Sequence, residues 1–264
     1  LSSRATKALI RTHHALEKAR AKALAAGDTS IASKISREID KNGGIEMYQH
    51  ASLLGQANDR GGDSSKILMD WLKAWALTPK SSTSMDSGNG RLLRMLEVGA
   101  LSTSNACSRS GLFEIERIDL NSQAESITQQ DFMERPLPKD DSEQFDVISL
   151  SLVLNYVPDA VRRGEMLERT LKFLRNKSLE EVHQPLEASF PSLFLVLPVS
   201  CITNSRYLDD PRLEAIMQSL GYVKDRQKLS NKLAYYLWKA IDLIPKKRTE
   251  SFKKIEVRAG KTRN

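Results

Sequence analysis

Apolar positions recur first with helical spacing and then, past about residue 90, in short continuous runs, and that change divides the chain in two. Arg4 to Leu24 predicts a helix: it is rich in Ala, Leu, Lys and Arg, with Ala8, Leu9, Ala15, Leu16, Ala19 and Ala23 on one shallow stripe. A second helix starts near Asp28 or Thr29 and repeats Ile31, Ile35 and Ile39 until Asn42-Gly43-Gly44 stops it. A third is expected over Ile45 to Gln56. After Arg60-Gly61-Gly62, Asp63 can cap a fourth, whose Ile67, Leu68, Trp71, Leu72 and Trp75 make a wide face that must pack on something larger.

Thr78 to Gly90 shifts to Ser, Thr, Gly, Asn and Lys, which marks a loop and a boundary. Beyond it, Leu92–Val98, Phe113–Leu120, Phe145–Leu152, Leu193–Val199 and Lys232–Ile241 predict strands, the central ones nearly continuous in apolar residues as buried parallel strands are. Helices fall between them, marked by Val161, Leu167, Leu171 and Leu174, then by Leu213, Ile216, Met217 and Leu220. Such alternation predicts an α/β sheet that binds ligands at the carboxyl ends of its strands. The expected organisation is a helical region and linker over 1–90, an α/β domain over 91–244 and a basic tail over 245–264.

Composition adds little to the fold but narrows the setting. At 264 residues, 40% apolar and 28% charged, the chain reads as a soluble globular protein, with no apolar run of bilayer length and no signal-like segment near Leu1. Cys107 and Cys201, far apart and in no ligand spacing, fit a reducing compartment, so an intracellular protein with no membrane partner is expected. The net charge of +7 is uneven: residues 245–264 carry +6 and residues 1–30 carry +4, leaving the body at −3. Basic ends on an acidic body suit a polyanion partner. They also suit solubility or a nuclear address, for which Lys246-Lys247-Arg248 is a short candidate.

The chemistry concentrates at strand ends. The first strand closes in Leu96-Glu97-Val98-Gly99 and the second, twenty residues on, in Ile118-Asp119. A glycine there lets backbone approach a ligand, and a carboxylate at the end of the next strand accepts from a ribose diol. The fuller glycine motif is missing, because Ala100, Leu101 and Ser102 follow, so the pair alone equally describes a turn glycine and a surface aspartate. Gln130-Asp131-Phe132 should lie in the loop after the third strand, where Asp131 can accept from an adenine amine and Phe132 can lie against the base. The fourth strand ends at Asn155-Tyr156-Val157-Pro158, where a substrate is presented. Glycine, ribose acid, adenine acid and substrate edge occur in the order that a class I Rossmann-like, S-adenosylmethionine-dependent methyltransferase needs.

The sequence also resembles a known family. Tyr48-Gln49-His50-Ala51-Ser52, Arg60-Gly61-Gly62-Asp63-Ser64-Ser65-Lys66, Leu96-Glu97-Val98-Gly99, Ile118-Asp119-Leu120-Asn121, Gln130-Asp131-Phe132, Ser151 through Pro158, and Leu197-Pro198 with Cys201 and Asn204-Ser205-Arg206-Tyr207 look like the fungal nucleolar enzymes that methylate adenine N(1) in 25S ribosomal RNA. The resemblance covers about residues 45 to 240. It implies a Rossmann-like methyltransferase fold, S-adenosylmethionine as donor, large-subunit rRNA or a preribosome as partner, a nuclear and nucleolar location, and Gly99 and Asp119 as cofactor positions. The same family includes an animal S-adenosylmethionine sensor of TOR signalling, so the alternative is a non-catalytic cofactor-binding regulator.

Ser102 to Leu112 leaves about three turns at most, so the usual cofactor-facing helix is expected to be short or irregular and the cofactor to lean on other elements. Arg60 is the candidate grip on the methionine carboxylate, with a solvated loop arginine as the alternative. Adenine N(1) already has an in-plane lone pair, so transfer needs alignment more than a base. Asn155 could hold the Watson–Crick edge and Tyr156 stack on its face, or the two could cap a turn and fill the core. Arg162, Arg163 and Arg206 are candidate phosphate contacts. The four histidines form no metal spacing, and no metal is expected.

Overall fold

The computed structural model describes residues 3–44, 47, 63–76, 92–122, 124–175, 189–243 and 249–259. The third helix expected over 45–56, apart from Met47, and Arg60-Gly61-Gly62, the 78–90 loop and Lys246-Lys247-Arg248 lie outside these.

Two helices, α1 (Ser3–Ala25) and α2 (Thr29–Lys41), pack as a hairpin. Asp28 ends the turn between them, its carboxylate accepting from Ile31 N at 2.9 Å, and Ala32 and Ile39 are buried whereas Ile31 stays exposed. Then α3 (Ser65–Ala76) precedes β1 (Leu93–Val98), β2 (Phe113–Asp119), β3 (Thr128–Gln129) and β4 (Val147–Ser151). The chain continues through α4 (Ala160–Phe173), β5 (Ser192–Pro198), a single turn α5 (Ser200–Thr203), α6 (Asp210–Leu220), β6 (Tyr222–Leu229) and β7 (Leu233–Ala240). The seven strands form one sheet in the order β3-β2-β1-β4-β5-β7-β6, in which only β7 runs against its neighbours. This is the class I methyltransferase sheet that the strand-end residues had implied.

Alternation along each central strand explains both layers. On β5, Leu193, Leu195 and Leu197 join the core under α4 and α6, while Phe194 and Val196 join the core under α3. On β7, Tyr236 and Trp238 face the first layer and Tyr235 and Leu237 the second. The apolar face of α3 thus buries Leu68 and Leu72 against the sheet.

One strand, β6, has no counterpart in the expected elements, and another, β3, is expected only by its place before Gln130. β3 has two residues, too few to make a pattern. β6 is an edge strand whose Lys224, Arg226 and Lys228 discourage pairing with another chain, and its register shifts between Lys224 and Arg226. The basic tail also differs from a free arm: its described part, 249–259, is docked. Phe252 is 6% exposed and lies against Gly164 of α4, where a Cβ would collide with the ring. Arg212 of α6 pairs with Glu250, and Val257 N donates to Arg206 O at 2.8 Å.

Candidate cofactor and substrate site

Gly99 takes φ +76 directly after β1, and a Cβ there would strike Val153 Cγ2, so glycine is needed for conformation and for space. Its N–H and that of Ala100 both donate to Ile118 O, at 2.8 and 3.1 Å, which holds the turn against the end of β2. Asp119 ends β2; its Oδ1 accepts from Asn121 N at 2.8 Å and its carbonyl from Gln130 N at 2.8 Å. Gly99 and Asp119 therefore stand at the carboxyl ends of adjacent parallel strands.

A cavity of about 390 Å³ opens at this end of the sheet, with Asp63, Ser64, Glu97, Gly99, Asn105 and Ser151 among its walls. Residues 101–112 form turns with no helix, and the start of α3 stands beside them. Asp63 joins the two: Oδ1 accepts from Ser65 N (2.9 Å) and Ser65 Oγ (2.6 Å), while Oδ2 accepts from Ala106 N (2.6 Å). Ser64 and Ser151 share a hydroxyl hydrogen bond of 2.8 Å, which links α3 to the end of β4. Asp63 was expected only to cap a helix; lining the site is a role that no local pattern shows.

Glu97 is the second wall residue absent from the expected site, although a carboxylate inside an apolar strand is itself a signal. Oε1 accepts from Asn105 Nδ2 at 2.8 Å. Oε2 is buried with no hydrogen-bond partner among the described residues, and Arg117 Nε stands 3.6 Å away, also without one. Burial pushes this carboxyl up to about 7 against the pull of Asn105 and Arg117, and nearby Asp63 adds to the rise. Two carboxylates bordering one cavity suit a cationic ligand group. The amino-acid end of S-adenosylmethionine has such a group, and the residues fit it. The exposed Arg109 guanidinium also lines the cavity, so a cation for a carboxylate is present without Arg60, which lies outside the described residues.

Ligand affinity should follow the charge on Glu97. An ammonium binds the ionised form, so protonation below about 7 opposes binding, and affinity for S-adenosylhomocysteine is expected to rise about 10-fold from pH 6 to pH 8. Glu97→Gln should flatten that profile in calorimetry. The unliganded fold should show the opposite trend: because the folded carboxyl holds its proton more tightly than the unfolded one, its contribution to stability is lost as pH rises through about 7.

At the end of β4, Leu152 has φ +61, the one positive value for a non-glycine residue among those described. Strain of this kind is held in place by surrounding structure and marks functional sites. A single 3-10 turn, Leu154–Tyr156, follows, pinned by buried Leu154. Asn155 Oδ1 is buried without a hydrogen-bond partner among the described residues, and Tyr156 is half-buried.

The remaining candidates disperse. Asp131 is exposed after β3 and accepts from Met133 N at 2.7 Å. Phe132 is a correction: at 2% exposure its ring lies 5.3 Å from that of Phe173 in the core, which leaves no face for a base. Arg162 is exposed beside Glu165; Arg163 donates to Val157 O and Pro158 O and so braces the turn rather than facing a phosphate; Arg206 pairs with Glu256 at 2.8 Å. Asp119, Asp131, Asn155 and Tyr156 do not line the cavity, which lies on the α3 side of Gly99.

The family model described as 25S rRNA (adenine(2142)-N(1))-methyltransferase, Bmt2, matches residues 33–264. Over 227 residues the chain is 38% identical to the 25S rRNA (adenine(2142)-N(1))-methyltransferase of Saccharomyces cerevisiae, covering 86% of this chain and 60% of that protein. Over 260 residues it is 41% identical to the 25S rRNA adenine-N(1) methyltransferase of Schizosaccharomyces pombe, covering 97% of this chain and 88% of that one. Among solved structures, the N-methyltransferase NodS of Bradyrhizobium japonicum WM9 in complex with S-adenosyl-L-homocysteine aligns at TM-score 0.41 and 12% identity, over 58% of this chain and 80% of that chain, a likeness too remote to inform the site.

Proposed function

The chain belongs to the Bmt2 family of 25S rRNA (adenine(2142)-N(1))-methyltransferases, and from that premise we propose that it methylates N(1) of an adenosine in large-subunit rRNA. S-adenosylmethionine, when bound, supplies an electrophilic methyl group on a sulfonium. Asp63 and Glu97 would hold the ammonium of its amino-acid end, the backbone at Gly99 would approach it closely, and Asp119 would accept from its ribose.

One observation carries the reading of the second substrate. Asn155 Oδ1 is a buried acceptor left without a hydrogen-bond partner among the described residues, beside a strained strand end, an arrangement that costs about 1–3 kcal/mol and is relieved by a donor such as the exocyclic amine of adenine. That contact fixes the Watson–Crick edge, and the half-buried Tyr156 ring offers a face for a base turned out of its helix. Attack by the N(1) lone pair forms the nitrogen–carbon bond as the sulfur–carbon bond breaks, with the bonding pair leaving on sulfur, so alignment and exclusion of water suffice. The same reading puts the protein in the nucleolus, acting on rRNA within a preribosome.

The test is methyl transfer from labelled donor to 25S rRNA, with the product base identified by mass spectrometry. Asn155→Ala is expected to lower the rate by about 10-fold or more, roughly 1.4 kcal/mol in the transition state, while S-adenosylhomocysteine affinity barely changes. A wild-type chain that binds the donor tightly yet methylates neither naked nor preribosomal RNA would establish the regulator instead.

A further inference from the structure

We propose that the docked segment 249–259 and the loop after β5 together form a ledge for single-stranded RNA next to the target nucleotide, with Tyr207 as its stacking face and Lys253 and Lys254 as its phosphate contacts; this rests on RNA being the substrate. Position is the first argument. β4 and β5 are parallel neighbours, so the loop that follows β5 leaves the sheet at the same edge as the Asn155–Tyr156 turn. Val157, next to that turn, and Cys201 and Leu208, in the loop, pack against one shared core.

The second argument is how the segment is fixed. Phe252 seats against Gly164, Arg212 pairs with Glu250 and donates to Ser251 O at 2.5 Å, and Arg258 donates to Thr203 O. Both acids of the segment are engaged by arginines of the body, Glu250 by Arg212 and Glu256 by Arg206. Lys253 and Lys254 are left exposed on its outer side. Lys253 and Lys254 are thus held in register with the body.

Tyr207 is the third argument. The residue is 40% exposed, with Lys254 Nζ and Arg206 Cζ standing over its ring at 5.5 and 5.7 Å from the centroid. An exposed aromatic ring set among cations is the arrangement by which proteins hold single strands, since every base has a π-face and every linkage a phosphate. It does not read sequence, which suits a ledge for flanking nucleotides while the turn after β4 takes the target.

The experiment uses the full chain and a single-stranded oligonucleotide of the 25S sequence, with anisotropy read across a salt series. Tyr207→Ala is expected to weaken RNA binding about 10-fold and Tyr207→Trp to retain it. Lys253→Glu with Lys254→Glu should lower the slope of log affinity against log salt by about 1.4, two single-strand phosphate contacts. S-adenosylhomocysteine affinity should be unchanged in all three. Wild-type binding that Tyr207→Ala and the charge reversal leave intact, in strength and salt slope, overturns the ledge alone. A wild-type chain that binds no RNA overturns the substrate reading and the ledge with it.

Discussion

Asp146→Ala is expected to lower folding stability by about 3–5 kcal/mol, with a drop of roughly 10 °C in melting midpoint for a chain of this size. Asp146 is fully buried where β4 begins and does not line the cavity. Its carboxylate accepts from Arg175 Nη1 at 3.0 Å on both oxygens and from Arg94 N at 2.9 Å, so it joins the end of α4 to the start of β1. The same guanidinium reaches Asp141 O at 3.3 Å. Alanine would strand a buried guanidinium and an unpaired backbone N–H, and neither can reach water without opening the sheet. Removing both charges should be milder: Asp146→Leu with Arg175→Met replaces the pair by apolar volume and is expected to recover part of the loss. Urea unfolding of the single and double variants decides it, and a loss below about 1 kcal/mol in Asp146→Ala would show that the pair is solvated in the native state.

The elements legible in the sequence are those whose apolar faces are buried. β4, β5 and β7 stood out as apolar runs because both of their faces are covered, and β1 and β2 by apolar residues interleaved with charged ones, although the runs do not show that β7 is reversed. β4 is shorter than its run: Phe145 makes only an isolated bridge to Leu174, and Asp146 is spent on the ion pair. β6 was hidden for the converse reason, since an edge strand facing solvent carries the residues of a loop. The positions of Gly99 and Asp119 were legible because both stand at strand ends, and a strand end shows in sequence. Asp63 and Glu97 were not, because their meeting across the cavity depends on α3 standing where a helix after β1 would ordinarily lie. Phe132 was misread because an aromatic residue beside a loop acid fits two environments, and only the position of Phe173 decides between them. Net charge gave the tail a partner but no place, whereas one buried phenylalanine and two ion pairs fix its described part, 249–259.

Asp119→Ala is expected to weaken S-adenosylhomocysteine binding by about 2–4 kcal/mol, roughly 30- to 1,000-fold, in a chain that still folds. The carboxylate is half-buried at the end of β2, and the hydrogen bond from Asn121 N holds one oxygen in a set orientation. Acceptors fixed before the ligand arrives lose little entropy on binding, and hydrogen bonds from ribose hydroxyls to an ionised group are stronger than those to a neutral one. Asp119→Asn keeps the shape and loses the charge, so an intermediate loss is expected. Asp131→Ala should cost far less, because that side chain is exposed and its oxygen already caps the Met133 turn. Calorimetry on the three variants, each with its melting curve, separates lost contacts from lost fold. Unchanged affinity in a folded Asp119→Ala would move the nucleoside end of the ligand off β2. The polar walls at Asp63, Ser64 and Asn105 would then have to hold more than the amino-acid end, and Asp63→Ala would become the variant that abolishes binding.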